Sequence, residues 1–274
     1  MSPADFDFLV RLLKDRSGLV LTREKAYLVE NRLLPVARKH ELSDLKDLIS
    51  GLVAEKAALT KDVVEAMTTN ESFFFRDRVP FDAFRDVVLP AMNTRRADKK
   101  SLRIWCAAAS TGQEPYSLGI ILKEQAAKFP GWQFEILATD ISTEVLQRAK
   151  DGCYNQFEVQ RGLPIRMLIK YFQKSGEFWQ IDAALRGLVT FQEFNLLNDP
   201  RPLGWFDVVF CRNVLVYFDQ PTKSRVLEAI ASQLTPDGYL FLGSSETVLG
   251  LTESFQPLPN LRGVYGMANA PASN

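Results

Sequence analysis

The segment Leu102–Ser117 combines residue types that could bind a nucleotide-like ligand. An apolar run ends in the small residues Ala107–Ser110, Gly112 follows, and Glu114 comes just before Pro115 and an apolar helical pattern. A strand, a tight small-residue turn and a helix with proline in its first turn form the ligand cradle of doubly wound sheets. The turn lacks both the glycines and Lys-Ser/Thr of a phosphate loop and the G-x-G-x-x-G of a dinucleotide site. A carboxylate there favours a ligand with positive charge, such as the amino group of a sulfonium amino acid.

Polar residues also follow the later predicted strands, at Asp140, Asn195, Arg212 and Asn213. Ligands of open α/β sheets bind outside the carboxyl ends of the strands, so we expect these side chains at one edge of the sheet. A carboxylate that closes the second strand can accept hydrogen bonds from both hydroxyls of a ribose. Asp140 could also be an acid at the start of the following helix, but its coincidence with the first turn favours ribose binding.

The composition argues against several classes of catalytic site. The 274-residue chain has 33 Lys+Arg and 33 Asp+Glu, so its net charge predicts neither nucleic-acid nor membrane binding. Its single histidine, His40, lies far along the chain from the ligand turn, which argues against Ser-His-Asp, Cys-His and His-metal chemistry. Three widely spaced cysteines indicate a reducing compartment without a disulfide framework. The chain shows no signal-peptide pattern and no apolar run of the ~18 residues that a membrane span needs.

Residues 1–75 show the apolar spacing of helices. Gly51 is expected to separate two of these helices, and Pro35 to end or kink another. Between Arg11 and Lys39 there are eight Lys/Arg and three Asp/Glu, a local positive excess that the neutral total hides. This excess could be an ordinary solvated helix surface or a face for an acidic partner.

From Leu102 onward, predicted strands and helices alternate, which indicates an α/β fold with a parallel sheet. The predicted strands cover 102–107, 133–139, 188–194, 206–211 and 239–243, with helices at about 115–127, 143–151 and 220–234 and an antiparallel edge at 255–258 and 263–267. Lys170–Ile181 breaks the alternation, because two β-like runs flank Ser175-Gly176. This pattern predicts a small inserted hairpin.

Four motifs, in this order and spacing, resemble the CheR family of chemotaxis receptor methyltransferases: Met67–Arg76 (MTTNESFFFR), Ala107–Ser117 (AAASTGQEPYS), Ala138–Ile141 (ATDI) and Phe210–Asp219 (FCRNVLVYFD). The resemblance covers nearly the whole chain. It implies an S-adenosylmethionine-dependent protein-glutamate O-methyltransferase without a metal. Such an enzyme forms methyl esters on specific glutamates of chemotaxis receptors and S-adenosylhomocysteine, for chemotactic adaptation.

The resemblance also implies an order of domains. An N-terminal helical receptor-recognition domain is expected at residues 1–75, a linker at 76–101 and a Rossmann-like class I methyltransferase domain at 102–274. A small inserted antiparallel β-subdomain is expected at about 155–194 within the last of these.

Carried over residue by residue, the family's functional positions fall on three groups. The cofactor contacts fall on Asn70, Ser72, Arg76, Glu114, Asp140, Asn195, Leu196, Arg212 and Asn213. The catalytic positions are Tyr217 and Arg76, and Tyr217 either orients the substrate carboxylate or is a core aromatic. Receptor recognition falls on Arg32, Arg38 and Lys39, where Pro35 and Val36 interrupt the basic run that the family often has.

The resemblance implies a cytoplasmic monomer, recruited to membrane receptor arrays, that acts on receptor helices without binding nucleic acid or inserting into the membrane. The short hairpin predicts recognition through the methylation helices alone, without a receptor C-terminal pentapeptide. Control by regulatory proteins stays open. A nucleic-acid methyltransferase would place an acidic or Asn-Pro-Pro-aromatic motif where RNVLVY stands, and an NAD-linked dehydrogenase would need the glycine-rich turn. A non-enzymatic adaptor that binds S-adenosylmethionine is not excluded by the sequence.

Overall fold

The computed structural model describes residues 2–269, so residues 270–274 of the predicted last domain lie outside it. Contacts divide the chain into two units. The first contains Met1–Thr69 and Tyr217–Thr222, and the second contains Asn70–Val216 and the chain from Lys223 onward.

The first unit is helical. Its helices are α1 (Pro3–Ser17), α2 (Ala26–Lys39), α3 (Leu45–Val53) and α4 (Ala57–Met67). Ser2 and Asp5 form a reciprocal capping box that begins α1, and Gly18 ends it in the left-handed conformation, at φ 78°. Leu9, Leu13, Val29, Leu33, Leu48 and Val63 are fully buried in the core of this unit.

The predicted helix separation at Gly51 is wrong, and of the two outcomes predicted for Pro35 the helix end is wrong. α2 continues through Pro35 to Lys39, because Leu33, Val36 and Ala37 around the proline are buried. Their packing offsets the roughly 3 kcal/mol that an internal proline costs a helix. Gly51 lies inside α3 rather than between helices, and a Cβ at this position would approach Leu59 Cδ2 at 2.7 Å. Glycine therefore allows close packing against Leu59 at this position and does not form a turn.

The second unit contains a seven-stranded sheet in the order β6-β2-β1-β7-β8-β10-β9. Its strands are β1 (Ser101–Ala107), β2 (Gln133–Asp140), β6 (Val189–Glu193), β7 (Phe206–Cys211), β8 (Leu234–Leu242), β9 (Phe255–Pro257) and β10 (Val264–Met267). The first five pair in parallel, and β10 and β9 form the antiparallel edge, as predicted. The chain order reverses between β1 and β7, which is where open α/β sheets bind ligands.

Helices surround this sheet. They are α5 (Val79–Ala83), α6 (Leu89–Arg95), α7 (Gln113–Gln125), α8 (Thr143–Asp151), α9 (Gln156–Gln160), α10 (Ile165–Tyr171), α11 (Ala183–Arg186) and α12 (Gln220–Ala231), which starts in the first unit. A π-helical turn, Phe84–Val88, joins α5 to α6. The 76–101 segment is thus largely helical, with Phe81 and Phe84 buried in the core, and its role as a linker stays a prediction.

A second, three-stranded antiparallel sheet has the order β3-β5-β4, with β3 at Cys153–Asn155, β4 at Phe172–Ser175 and β5 at Phe178–Ile181. The predicted hairpin is present, but its turn lies at Gly176-Glu177, because Ser175 pairs with Phe178. Strand β3 was not predicted, since three residues are too few to show an alternating pattern.

Candidate functional site

The turn after β1 explains the run of small residues in the sequence. Ala108, Ser110 and Gly112 all have positive φ, at 64°, 51° and 93°. The backbone N–H of Ala109 donates to the carbonyl of Thr139 at 2.8 Å, so the turn is fastened to the end of β2. Such left-handed positions disfavour large or β-branched side chains. The alternation of positive φ therefore requires small residues here.

Gly112 precedes α7 and has little space around it. A Cβ at this position would lie 2.9 Å from Ala149 Cβ and 3.2 Å from the Tyr154 hydroxyl oxygen. That hydroxyl donates to the Thr111 carbonyl at 2.8 Å, so Tyr154 also stabilises the turn. Both the φ angle and the close packing require glycine.

Asp140 lies at the end of β2 and is only 5% exposed. Its Oδ2 accepts from the backbone N–H of Ser110 at 2.8 Å, and its Oδ1 accepts from that of Ser142 at 3.0 Å. The carboxylate thus connects the first turn to the start of α8, where Ser142 is the N-cap. It also stands at the predicted ligand edge, so neither of its two predicted roles excludes the other.

Glu114 and Arg212 form a buried ion pair that joins the two sides of the topological switch. Glu114 is in the first turn of α7, and Arg212 directly follows β7. Arg212 Nη1 donates to Glu114 Oε2 at 2.7 Å, with the two side chains 1% and 12% exposed respectively. Burial raises the pKa of Glu114 above its ordinary value, and the positive charge of Arg212 opposes part of this rise.

Arg212 also holds the segment before α5. Its Nη2 donates to the Arg76 carbonyl at 2.9 Å and to Asp77 Oδ2 at 2.8 Å. Its Nε is buried and has no hydrogen-bond partner in the described chain. An orphaned buried donor is expected where a bound ligand completes a site. Asp77, a residue that the motifs did not single out, is therefore part of this cluster.

The motif around Asn70 is attached to the same turn. Ser110 Oγ donates to the Asn70 carbonyl at 2.8 Å, and Arg76 Nη1 donates to the Glu71 carbonyl at 2.7 Å. Asn70, Ser72 and Arg76 are all half-buried. The structure thus brings the Asn70–Arg76 segment together with the strand ends.

Arg161 and Gly162 contact the Asn70–Arg76 segment and hold it in place. The sequence did not predict either contact. Arg161 Nη2 lies 2.7 Å from Glu71 Oε1, and its guanidinium lies 4.3 Å from the Phe73 ring centroid. Gly162 approaches so closely that a Cβ would lie 2.0 Å from the Phe74 carbonyl oxygen. Nothing in the local sequence signals either contact, because 90 residues separate the ion pair.

Glu246 positions the loop after β7 and was also missed. Its Oε2 accepts from the backbone N–H groups of Asn213 and Gly243 at 2.8 and 2.7 Å, and its Oε1 accepts from those of Val214 and Val216 at 3.0 and 3.2 Å. Asn213 needs this support because its φ is 59°. In the sequence, an isolated glutamate four residues after a strand does not indicate that its side chain will hold a neighbouring loop.

Asn195 and Leu196 follow β6 at the same edge of the sheet. The Asn195 side-chain oxygen accepts from the backbone N–H of Leu197 at 3.0 Å, and its carbonyl accepts from that of Asn198 at 2.8 Å. Asn195 thus shapes its own turn, and Leu196 is half-buried.

The other predicted positions lie in the first unit. Tyr217 is half-buried, and its carbonyl accepts from the Val20 N–H at 2.9 Å. Arg32 donates to the carbonyls of Met67 and Thr68, both at 2.8 Å, and so holds the end of α4. Arg38 is exposed on α2, and Lys39 is exposed but lies 2.8 Å from Asp62 Oδ2.

The described residues contain no group of three or more His, Cys, Asp or Glu side chains that could hold a metal ion. Within residues 2–269, no helix has both the length and the apolar character that a membrane crossing needs.

Comparisons with known proteins agree with this arrangement. The SAM-binding domain of CheR methyltransferases matches residues 70–264, and the all-alpha domain of the same methyltransferases matches residues 4–68. The chain belongs to the CheR methyltransferase family. Chemotaxis protein methyltransferase 1 of Vibrio cholerae is 40% identical over 260 residues, which cover 93% of this chain and 94% of that protein. Chemotaxis protein methyltransferase 1 of Pseudomonas aeruginosa is 39% identical over 257 residues, covering 92% and 93%.

This CheR chain is an S-adenosylmethionine-dependent methyltransferase, and the strand-end residues fit that cofactor. An ionised carboxylate has about four acceptor positions, so Asp140 is a suitable acceptor for ribose hydroxyls as well as for the backbone N–H groups of Ser110 and Ser142. Arg212 contacts Glu114 through Oε2, which leaves Oε1 to face an ammonium group. The orphaned Nε of Arg212 is a donor for an anionic or carbonyl group.

Proposed function

We propose that this protein transfers the methyl group of S-adenosylmethionine to side-chain carboxylates of specific glutamates on the cytoplasmic helices of chemotaxis receptors. The products are glutamate methyl esters and S-adenosylhomocysteine, and the process serves chemotactic adaptation. The main support is the buried Glu114–Arg212 pair beside Asp140 at the strand ends, in a chain whose relatives are named chemotaxis protein methyltransferases. When bound, S-adenosylmethionine supplies an electrophilic methyl group on a sulfonium.

The cofactor roles are assigned by charge. Asp140 accepts from the ribose hydroxyls, and Glu114 attracts the amino group of the methionine part. Asn70, Ser72, Asn195, Leu196 and Asn213 complete the binding surface at the same edge. Arg212 keeps Glu114 ionised and oriented despite its burial.

The acceptor needs no general base. A glutamate with a pKa near ~4.3 is already ionised at neutral pH, so the reaction does not require an imidazole. The single histidine, His40, is accordingly used elsewhere, 2.7 Å from Asp62 in the first unit. A chain with one histidine suits this chemistry.

The reaction brings opposite charges together and removes both. Water stabilises the separated charges, so an environment with little water lowers the cost of their approach. Positioning of the attacking oxygen against the methyl carbon then supplies most of the acceleration. We assign this positioning to Tyr217, through one hydroxyl, and to Arg76. Additional strong hydrogen bonds to the acceptor would stabilise the ground state and slow the reaction.

Receptor recognition is assigned to the basic surface of α2. Arg38 is exposed there and forms no ion pair with described residues, whereas Lys39 forms an ion pair with Asp62. Arg32 contributes indirectly, because it holds the end of α4. We further infer a cytoplasmic monomer, recruited to receptor arrays, that needs no receptor C-terminal pentapeptide.

Incubation with methyl-labelled S-adenosylmethionine and receptor cytoplasmic fragments tests the proposal. We expect label on the receptor that base releases as methanol, since esters hydrolyse in base and N-methyl groups do not. Base-stable label would indicate another acceptor. Binding of the cofactor without any label on receptor would support an adaptor instead.

A further inference from the structure

The second unit has a cavity of about 590 Å³ beside α7. Three segments line it: residues 75–85, the C-terminal half of α7 and residues 162–167. Glu124 lines the cavity and Glu114 lies ten residues earlier on the same helix, so the two sites are roughly 15 Å apart along α7. The cavity thus lies further along α7 than the strand-end cluster and borders it at Phe81, whose ring centroid lies 5.5 Å from the guanidinium carbon of Arg212.

Part of the wall of this cavity is apolar, although charged and polar side chains form much of the rest. Phe75, Phe81 and Ile121 line it and are buried, and Met167 beside them is half-buried. Two aromatic rings and a flexible thioether form a surface that suits a flat apolar group.

The acidic groups of the cavity are already paired. Asp82 lies 2.8 Å from Arg85 Nη1. Glu124 accepts from Lys170 Nζ and from the Tyr171 hydroxyl, both at 2.5 Å, and these two hydrogen bonds lower its pKa. Both carboxylates thus already have cationic partners of their own.

Two arginines of the cavity have no such partners. Arg78 and Arg166 line it and are exposed, and neither side chain forms a hydrogen bond or a close ion pair with residues 2–269, although the charge of Arg166 also acts on Glu124. The five charged side chains in the lining are three arginines and two acids, and only these two arginines lack a paired acid. A guanidinium presents donors that match phosphate or carboxylate oxygens.

The backbone that carries Arg78 is strained. Phe75, Asp77 and Arg78 have φ angles of 52°, 69° and 50°. Three left-handed non-glycine residues within four positions cost of order 1–3 kcal/mol each, and such strain concentrates at functional sites. The hydrogen bond from Arg212 to Asp77 explains the positive φ of Asp77, but it does not explain the positive φ of Arg78.

We propose that this cavity binds a small organic anion, in which a phosphate or carboxylate is joined to a flat apolar group. Arg78 and Arg166 bind the anionic group, and the apolar group packs on Phe75, Phe81 and Met167. A volume of about 590 Å³ falls within the range of small-molecule sites and accommodates a ligand of nucleotide size.

Methyl NMR of the full chain tests this inference with phenyl phosphate as the probe. We expect saturable shifts of the Ile121 and Met167 methyl signals, with a Kd on the order of 1 mM for such a fragment. Inorganic phosphate should bind about tenfold more weakly, because it lacks the apolar group. Arg78→Ala and Arg166→Ala should each weaken phenyl phosphate by about tenfold or more.

Arg225→Ala is the matched control, since Arg225 is exposed and does not line this cavity. It should leave the affinity unchanged. Absence of saturable shifts at Ile121 and Met167 would overturn the proposal, as would equal losses in the Arg78 and Arg225 variants. Because binding is measured directly, the result does not depend on the proposed methyl transfer.

Discussion

Two carboxylates at the strand ends have different surroundings. Asp140 accepts two backbone N–H groups, whereas Glu114 is paired with the guanidinium of Arg212. The first arrangement suits a neutral polyol such as ribose, and the second suits an ammonium group next to a charge-balanced pair. The residue types alone predict this division, and the contacts explain how each carboxylate is held.

Replacing Asp140 should weaken cofactor binding without unfolding the protein. We expect Asp140→Ala to reduce affinity for S-adenosylhomocysteine by roughly 1.5–3 kcal/mol for each charge-assisted hydrogen bond lost. Calorimetric titration gives the affinity, and circular dichroism checks the fold. Asp140→Asn, which keeps one acceptor oxygen, should show a smaller loss. A folded Asp140→Ala variant with the affinity of the parent would remove this residue from the site.

Glu114 should make cofactor affinity depend on pH. Burial raises the pKa of this carboxyl, so on acidification it loses its charge at a higher pH than an ordinary glutamate does. Because only the ionised form attracts an ammonium group, affinity should fall as the pH drops through that raised pKa. Titrations with S-adenosylhomocysteine across the acidic range measure this. Glu114→Gln should bind weakly at every pH and lack the step, and a parent-like profile in this variant would contradict the assignment.

At the scale of elements, a buried charge network attaches the end of α6 to the sheet. Arg96 Nε lies 2.9 Å from Asp207 Oδ1, and its Nη1 and Nη2 donate to Asp237 Oδ2 and Oδ1 at 2.8 and 2.6 Å. Asp207 Oδ2 also accepts from the Arg103 N–H of β1 at 2.9 Å. This network connects α6, β1, β7 and β8 at the edge opposite the cofactor residues.

Removing Arg96 should strongly destabilise the protein. Arg96→Met leaves two acids without their cation, one of them buried, and should cost about 3–5 kcal/mol in the free energy of unfolding. Arg96 also holds the pKa of Asp237 below its ordinary value. The pair therefore stabilises the fold fully above the unfolded pKa of aspartate, and this stabilisation is lost as the pH falls through the lowered folded pKa.

Urea unfolding at several pH values checks both effects. The variant should be less stable at neutral pH, and the difference from the parent should shrink in acid. Arg85→Met is a suitable control, because Arg85 pairs with exposed acids and should matter little. An undiminished difference at low pH would contradict the role of Asp237.

The α/β alternation was predictable because each strand is a short apolar run followed by a polar turn. β7 and α8 have the predicted bounds, and β1 and β2 differ by one residue. The local sequence pattern gave wrong or incomplete predictions where contacts between residues far apart in the sequence determine the structure. α2 continues through Pro35 because its buried face is held by other helices, and Glu246 and Arg161 act on segments far away in sequence. The sequence of one chain gives no sign of which distant residues will contact each other.

For the whole molecule, the neutral charge total conceals a basic surface at residues 11–39. Arg38 is exposed and, like Arg11 and Lys25, forms no ion pair in the described chain, and it lies on the same helix as Arg32. Helices rich in glutamate carry the complementary charge. We therefore propose that the first unit recognises the receptor, while the second binds the cofactor.

Reversing the charge of Arg38 should weaken receptor recognition. We expect Arg38→Glu to raise the KM for receptor fragments severalfold, with the defect shrinking as salt screens the contact. Methylation rates at a series of salt concentrations measure this. Arg225→Glu makes the same charge change outside the basic surface and should have little effect. A salt-independent, parent-like KM for Arg38→Glu would indicate an ordinary solvated surface.

The central claim is that the acceptor is a glutamate carboxylate of a receptor helix. Mass spectrometry of receptor peptides after incubation with the protein and S-adenosylmethionine tests it most directly. We expect added methyl groups on glutamate side chains, absent when those glutamates are replaced by alanine and greatly reduced with Asp140→Ala enzyme. Methyl groups on lysine, arginine or any residue other than glutamate, or an unmodified receptor despite measurable cofactor binding, would contradict the account.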